Sequence, residues 1–278
     1  MSYTFLRYPG GKTKAVTFSY DDGVKSDLKL AEIFDKYGIK ATFNFNAKDN
    51  FTKQEVREHF LSKDHEIACH GAKHLALGNV SNIEGIQDVL DSRLFLEELT
   101  DGIVRGLAYA DSGIVFLGNL GKYEDIKNYL GELDIAYGRT LAGDNNSFEL
   151  PADFHAWMPT AHHNNPKIFE WIDEFLALDV KKLSKTHQRP RLMYIWGHSY
   201  EFDRDNNWEH IEKICERLSG GKDVWFATNI EIYDYIEAYK SLKFSADRKT
   251  VYNPTLFTIW FDKDGVSYKI ESGETIKI

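Results

Sequence analysis

Three short segments of this 278-residue chain begin with apolar or β-branched residues and end in side chains that bind metals or move protons. They span residues 15–23, 65–74 and 193–198, and they end in Asp21-Asp22-Gly23, His70-Gly71-Ala72-Lys73-His74 and Gly197-His198. This pattern is typical of β-strands that leave a buried sheet for a functional loop. Two adjacent carboxylates, a His-x-x-x-His pair and a late histidine are the groups that a metal-assisted hydrolase needs.

Each of these groups has a candidate role. His70 and His74 lie four residues apart, so a helical turn after the strand would place both imidazoles on one side, and Asp22 could add a carboxylate ligand. This donor set suits Zn²⁺ best, although Co²⁺, Ni²⁺, Mn²⁺ or Fe²⁺ would also fit. Asp21 could accept a proton from a water acidified by the ion, and His198 could protonate the leaving group.

Each motif alone also has a structural explanation that is more common than catalysis. Asp-Asp-Gly is usually a turn, an isolated His-x-x-x-His pair is usually solvated or structural, and His198 could cap a strand by hydrogen bonding. The functional interpretation depends on all three motifs following separate strands in an order that fits one barrel.

Apolar runs recur along the chain with helix-period segments between them, which predicts an α/β fold with a mostly parallel sheet. Strands are predicted near residues 16–20, 41–46, 65–70, 106–110, 136–140, 155–160, 192–197 and 224–228. Helices are predicted at residues 26–37, 52–61, 82–99, 124–130, 166–178, 207–218 and 231–241. A barrel of alternating strands and helices collects the carboxyl ends of its strands on one face, so the three motifs could share one site.

The pattern changes after about Ser241. Short strand-like runs follow at residues 251–253, 256–261, 266–270 and 275–278. Turn signals at Asp264-Gly265 and Ser272-Gly273 separate the last three of them. The sequence therefore predicts a barrel domain over residues 1–241 and a small β tail over residues 242–278 that packs on it.

The composition limits the possible classes of function. A formal charge of −9 at pH 7 argues against binding to nucleic acids or anionic membranes. The sequence has no apolar run long enough to span a bilayer, no recognisable signal peptide, and only two cysteines, which indicate no disulfide framework. A cytoplasmic protein is therefore expected, although a secreted chain whose leader had been removed would look the same.

The three segments resemble the motifs of the polysaccharide deacetylase family, also called the NodB-homology domain or carbohydrate esterase family four. Residues 18–23 are similar to its first motif, in which the first Asp is the base and the second binds metal. Residues 70–74 are similar to its second motif, and the segment ending at His198 is similar to its last. The resemblance covers residues 14–240 and implies a distorted (β/α) barrel with about seven parallel strands.

The middle of the chain departs from the family pattern. Where the family has Arg-x-Pro-Tyr, this chain retains only Tyr109, whose backbone amide in the family helps to hold the oxyanion. Arg139, at the end of a predicted strand, could replace the missing arginine at the substrate-binding site by pairing with Asp21 or another acidic group in the cleft. It could instead be a surface arginine or part of a structural ion pair. The family's Asp-x-x-Asp-Trp motif is not evident, and Trp157 could either supply an apolar wall for an acetyl methyl group or pack in the core.

Four further polar residues lie near the motifs. His162 and His163 could line the cleft, but a solvated loop is expected for both. Either Glu201 or Asp203 could tune His198, and nothing in the sequence decides between them.

The leading hypothesis is a hydrolase of carbon–nitrogen bonds that removes acetyl groups from N-acetylated sugars or glycans by attack of metal-bound water. Its partner would be an acetylated saccharide. An O-acetyl esterase that acts on a polysaccharide such as acetylated xylan would use the same residues. The altered middle motifs motivate a third possibility, a non-catalytic carbohydrate-binding barrel, but a binding module would not need the retained metal-binding and proton-transfer residues.

Overall fold

The computed structural model describes residues 3–118, 120–141 and 148–278, in which strands and helices alternate before an antiparallel tail. The strands are β1 (Thr4–Arg7), β2 (Lys14–Asp22), β3 (Thr42–Phe45), β4 (Glu66–Cys69), β5 (Gly106–Ala108), β6 (Tyr137–Arg139), β7 (Ala161–His162), β8 (Arg191–Gly197), β9 (Val224–Phe226), β10 (Lys243–Phe244), β11 (Thr250–Tyr252), β12 (Ile259–Lys263), β13 (Val266–Ile270) and β14 (Thr275–Lys277). The α-helices are α1 (Ser26–Lys36), α2 (Lys53–His59), α3 (Asn82–Thr100), α4 (Tyr123–Glu132), α5 (Ile168–Ala177), α6 (Tyr200–Arg204), α7 (Trp208–Ser219) and α8 (Asn229–Lys240).

Eight parallel strands of the described chain form the main sheet, and the predicted distorted (β/α) barrel is confirmed. Seven of them lie in the order β6-β5-β4-β3-β2-β8-β7, and β9 pairs with β2. The central strand is β2, which pairs with β8 from Lys14 to Tyr20 and with β3 from Ser19 to Asp22. All of β2 except its last residue is buried, as expected for a parallel strand that is covered on both faces.

The segment before β7 links β6, at one end of this sheet, to β8, which lies next to the other end. The Trp157 amide donates to a carbonyl of β6 at 2.9 Å, and the Thr160 amide donates to a carbonyl of β8 at 2.8 Å. The sequence predicts a continuous strand over residues 155–160 here, and this prediction is wrong, because Phe154–Ala156 forms a 3₁₀ turn instead. Pro159 interrupts the ladder, since proline has no backbone N–H to donate.

The predicted helices are present to within a few residues, and three of them begin with a capping box. The capping pairs are Thr52 with Glu55 in α2, Ser81 with Glu84 in α3, and Thr228 with Glu231 in α8. Each pair satisfies two backbone N–H groups that the first helical turn leaves without partners. The sequence pattern does not indicate α6, because a helix of five residues is too short to show a helical period. Among the described helices, none combines the length and apolar character needed to cross a bilayer.

The strands of the tail take part in two three-stranded antiparallel sheets, ordered β1-β12-β13 and β10-β11-β14. The sequence pattern does not indicate β1, which comes from the other end of the chain and pairs with β12. Arg7 and Asp262 form a buried ion pair at 2.7 Å between these two strands. The proposed division into residues 1–241 and 242–278 stays a prediction.

Candidate metal and proton-transfer site

The first motif lies where β2 leaves the barrel. Asp22 ends the strand with a φ of 81°, and Gly23 follows with a φ of 61°. A side chain at Gly23 would collide with the ring of Phe45, since an ideal Cβ would lie 2.8 Å from it. The Asp-Asp-Gly sequence therefore supplies both the two carboxylates and the turn that presents them at the carboxyl ends of the strands.

Asp22, His70 and His74 form a cluster that could hold a metal ion. One ligand atom from each lies within 4.8 Å of the others, and Asp22 Oδ1 is 3.7 Å from His70 Nε2 and 3.6 Å from His74 Nε2. His70 Nδ1 lies 2.9 Å from Ala108 O, so the neutral ring carries its proton on Nδ1 and directs the Nε2 lone pair into the cluster. Two imidazoles and one carboxylate with open positions fit a divalent ion such as Zn²⁺.

The two imidazoles meet through an irregular loop, so the prediction of a helical turn between them is wrong. Gly71 and His74 have φ values of 79° and 58°, which no α-helix contains. Asp88 in α3 holds the loop, because its Oδ1 accepts a hydrogen bond from the Lys73 amide at 2.6 Å. A Cβ at Gly71 would lie 2.5 Å from Asp88 Oδ2, so this close approach requires glycine. The loop still brings the rings of His70 and His74 to a centroid distance of 4.8 Å.

Asp21 is buried beside this cluster and is paired with Arg139. Arg139 Nη2 donates to Asp21 Oδ2, and Asn44 Nδ2 donates to Asp21 Oδ1 at 2.8 Å. Burial would raise the pKa of Asp21, but the positive charge of Arg139, with contributions from His70 and His198, holds that pKa below its usual value. Asp21 is therefore ionised and able to accept a proton.

His198 approaches Asp22 from the end of β8. Its Nε2 is 3.9 Å from Asp22 Oδ2, and its Nδ1 is 3.7 Å from Glu201 Oε1. Burial would lower the pKa of His198, but Glu201, Asp21 and Asp22 outweigh this effect and raise the pKa. The environment therefore favours the imidazolium form, which is the form that can donate a proton.

A further pair of histidines, which the sequence did not assign to the site, lies behind His198. Glu201 Oε2 is 3.1 Å from His162 Nε2 and 3.2 Å from His163 Nε2. The expectation of a solvated loop is wrong for His163, which is fully buried and stacks on Phe202 at a centroid distance of 4.3 Å. Burial would raise the pKa of Glu201, but the surrounding histidines hold that pKa well below its usual range.

Comparison with known proteins identifies the first part of the chain. A family model described as polysaccharide deacetylase matches residues 4–114, which contain Asp21, Asp22, His70 and His74. The resemblance to the polysaccharide deacetylase family is confirmed. The matched region ends before the later motifs, so the roles of those motifs depend on the geometry of this chain. None of the curated proteins compared with the chain matches it.

Solved structures of several other proteins share the fold of this chain. A structure assigned to a polysaccharide deacetylase of Pseudomonas aeruginosa is 15% identical with a TM-score of 0.58, and the alignment covers 82% of this chain and 92% of that chain. One similarly assigned from Mycobacterium smegmatis is 16% identical with a TM-score of 0.55, covering 84% and 94%. The Xyl-CE4 domain of a multidomain xylanase from the hindgut metagenome of Trinervitermes trinervoides is 14% identical with a TM-score of 0.51, covering 82% and 92%. At these identities the likeness establishes the fold alone.

Tyr109 does not present the free amide that resemblance to the polysaccharide deacetylases implies. Its amide donates to Arg139 O at 3.0 Å, and its hydroxyl donates to His155 O at 2.7 Å. The side chain is fully buried. The expectation that Tyr109 binds substrate is therefore corrected, because its amide is used in the pairing beside β5 and β6 and its ring is part of the core.

Trp157 is also a core residue rather than a wall of the site. It is 1% exposed and packs edge-on against Tyr137, Phe154 and Tyr194 at centroid distances of 5.6, 5.1 and 4.9 Å. The expectation of an acetyl contact at Trp157 is therefore corrected in favour of the alternative, core packing.

Trp196 is an aromatic side chain at the site, and no role was predicted for it from the sequence. Its ring lies 4.7 Å from the Arg139 guanidinium and 5.9 Å from the ring of His198. Trp196 is partly exposed, so it can contact a bound molecule. The signal that could have identified it is the spacing, because residues two apart on a strand point to the same face and Trp196 lies two residues before His198.

Proposed function

We propose that this protein is a metal-dependent hydrolase that removes acetyl groups from N-acetylated sugars or glycans. One observation carries the proposal: Asp22, His70 and His74 meet at the barrel face, with Asp21 on one side and His198 on another. A proton acceptor, a candidate metal site and a proton donor thus surround one point, as hydrolysis of an amide requires. The match of residues 4–114 to the polysaccharide deacetylase family model supports an acetylated saccharide as the substrate.

The chain's own contacts orient two of the three candidate ligands for an ion, with Zn²⁺ as the first choice. When bound, such an ion acidifies water and polarises a carbonyl oxygen. His70 Nδ1 is committed to Ala108 O, and Asn46 Nδ2 donates to Asp22 Oδ1 at 3.2 Å. Partners of this kind orient ligands in advance, which raises affinity for the ion.

Asp21 acts as the general base in this proposal. Its Oδ2 is 4.0 Å from His70 Nε2, so the carboxylate borders the ligand cluster while its other contacts go to Arg139 and Asn44. Arg139 keeps Asp21 ionised and fixes the orientation of the carboxylate. Asp21 can therefore take a proton from the attacking water.

His198 acts as the general acid. An amine anion is a poor leaving group, so the nitrogen must receive a proton as the bond breaks. His198 Nε2 faces the cluster, and its raised pKa increases the protonated fraction at neutral pH. This feature favours an N-acetyl substrate over an O-acetyl substrate, because an alkoxide leaves more readily than an amide nitrogen and needs the acid less.

Acetate release from N-acetyl-chitooligosaccharides and from acetylated xylan tests the proposal, with the Zn²⁺-loaded protein in both assays. We expect acetate from the N-acetylated oligosaccharides at a higher kcat/KM. Release from xylan alone would identify an O-acetyl esterase instead. Binding of either saccharide without acetate release would identify a carbohydrate-binding barrel.

A further inference from the structure

Glu201 is the point at which three histidine rings converge. Its Oε2 faces His162 Nε2 at 3.1 Å and His163 Nε2 at 3.2 Å, and its Oε1 faces His198 Nδ1 at 3.7 Å. The Glu201 side chain is 12% exposed, and among the described residues Glu201 Oε2, His163 Nε2 and His198 Nδ1 are buried without a partner at standard hydrogen-bond geometry. A carboxylate in such surroundings is costly unless the rings donate N–H groups to it.

The tautomer of His162 indicates whether the histidines around Glu201 donate N–H groups to the carboxylate or bind a second metal ion together with it. The Asn164 amide donates to His162 Nδ1 at 3.1 Å. The neutral His162 ring therefore carries its proton on Nε2, which is the atom that faces Glu201. A protonated nitrogen has no lone pair for an ion, so the geometry fits N–H donors around a carboxylate better than a set of metal ligands.

We propose that Glu201 is a positioning residue that accepts a hydrogen bond from His198 Nδ1–H and thereby leaves His198 Nε2 facing the leaving group. This inference rests on the acetyl-removing function proposed above. In this proposal His162 and His163, whose Nε2 atoms lie 3.1 and 3.2 Å from the other oxygen of Glu201, hold the carboxylate in place by turning their N–H groups toward it. The proposal requires the 3.7 Å separation between Glu201 Oε1 and His198 Nδ1 to shorten when substrate binds, as catalytic hydrogen bonds that are long in the free enzyme often do.

The backbone around Glu201 brings its carboxylate close to His198 and His163. The Glu201 amide donates to His198 O at 3.2 Å, so α6 begins directly after β8 and turns the carboxylate back toward the ring. Gly197 makes room for His163, because an ideal Cβ at Gly197 would lie 2.0 Å from His163 Nδ1. The position of Glu201 therefore follows from the short helix and from one close packing contact.

The substitution Glu201→Gln keeps the size of the side chain and removes its charge, and Asp203→Asn is the matched control on the same helix. Asp203 contacts Ser26 and Trp208 rather than a histidine. We expect Glu201→Gln to lower kcat on N-acetyl-chitooligosaccharides about 10–100-fold, the usual effect of losing a partner that orients a functional group. The KM, the metal content and the activity of Asp203→Asn should stay at their wild-type values.

Substrates with different leaving groups distinguish a positioning role of Glu201 from a purely structural one. On 4-nitrophenyl acetate, whose leaving group departs without a proton, Glu201→Gln should lose far less activity than on the amide. Equal losses on both substrates would overturn the inference, because a general structural defect does not depend on the leaving group. Two bound ions in the wild type and one in Glu201→Gln would also overturn it, since Glu201 would then be a metal ligand.

Imidazole NMR provides a readout that does not depend on acetate release. The His198 Nδ1 proton, assigned by its disappearance in His198→Ala, should be protected from exchange in the wild type and lost to exchange in Glu201→Ala. Equal protection in both proteins would overturn the inference. A wild-type protein that releases no acetate from any substrate would defeat the proposed function, while the NMR comparison would still decide whether Glu201 positions His198.

Discussion

Arg139 and Asp21, which are 118 residues apart in the sequence, form a hydrogen-bonded ion pair inside the barrel. The pair joins the end of β6 to the end of β2, and neither side chain is more than 1% exposed. A guanidinium beside a buried carboxylate favours the ionised carboxylate. Arg139 can therefore supply the positive charge that the family's missing Arg-x-Pro-Tyr arginine would have placed near the base.

Replacing Arg139 with Met should leave the carboxylate of Asp21 buried without its cation. Breaking a buried ion pair typically costs about 3–5 kcal/mol in the free energy of unfolding. Urea unfolding of the wild type, Arg139→Met, Asp21→Asn and the double variant measures the coupling, and the double variant should lose less than the sum of the single losses. Strictly additive losses would show that the two side chains do not stabilise each other.

The same pair predicts how stability depends on pH. Because the folded-state pKa of Asp21 lies below its unfolded value of about 4, its stabilisation is present above that value and is lost as the pH falls through the folded-state pKa. The difference in free energy of unfolding between the wild type and Asp21→Asn should therefore be steady from about pH 5 to pH 7 and should narrow at lower pH. The measurement is urea unfolding with chelator present, and a difference that widened at low pH would contradict the depressed pKa.

Removing either imidazole of the cluster should remove the ion. We expect His70→Ala and His74→Ala to lose stoichiometric Zn²⁺ on dialysis, because two ligands hold an ion far more weakly than three. His187→Ala is the control, since His187 is exposed and contacts Ser184 and Thr186 instead. Elemental analysis of the dialysed proteins gives the result, and undiminished metal in both cluster variants would place the binding site elsewhere.

The strand ends that carry the site could be predicted because the sequence marks them locally. Buried residues run almost to the ends of β2, β4 and β8, and each strand is followed within a few residues by a motif side chain. Arg139 could be proposed as the partner of Asp21 for the same reason, since it ends a predicted strand of the same parallel sheet. Parallel strands present such ends at one face whatever the sequence separation.

Features that depend on register or on distant pairing could not be predicted in this way. Whether the Tyr109 amide is free depends on how the chain after β5 pairs with β6, and the burial of Trp157 depends on the bridge that it makes before Pro159. The pairing of β1 with β12 joins opposite ends of the chain, and a four-residue strand does not indicate its partner. Glu201 reaches His198 through a five-residue helix that shows no period in the sequence.

The substitution Gly197→Ala tests how His163 packs against β8. A Cβ at Gly197 would lie 2.0 Å from His163 Nδ1, so the ring must move, and overpacking of this kind typically costs about 1–3 kcal/mol in the free energy of unfolding. Gly131→Ala in α4 is the control, because a Cβ there meets nothing within 4 Å and should stabilise the helix by about 0.5–1 kcal/mol. Urea unfolding that showed no loss for Gly197→Ala would contradict the placement of His163.

Acetate release is the most direct measurement of the central claim, that hydrolysis needs the ion, Asp21 and His198 together. The wild type, Asp21→Asn and His198→Ala are stripped with chelator, reloaded with Zn²⁺ and assayed on N-acetyl-chitooligosaccharides. We predict no release by the stripped wild type, recovery on reloading, and a loss of about 10²–10⁴-fold in each reloaded variant, the usual contribution of a positioned acid or base. Near-wild-type acetate release by the stripped protein or by either variant would contradict the claim.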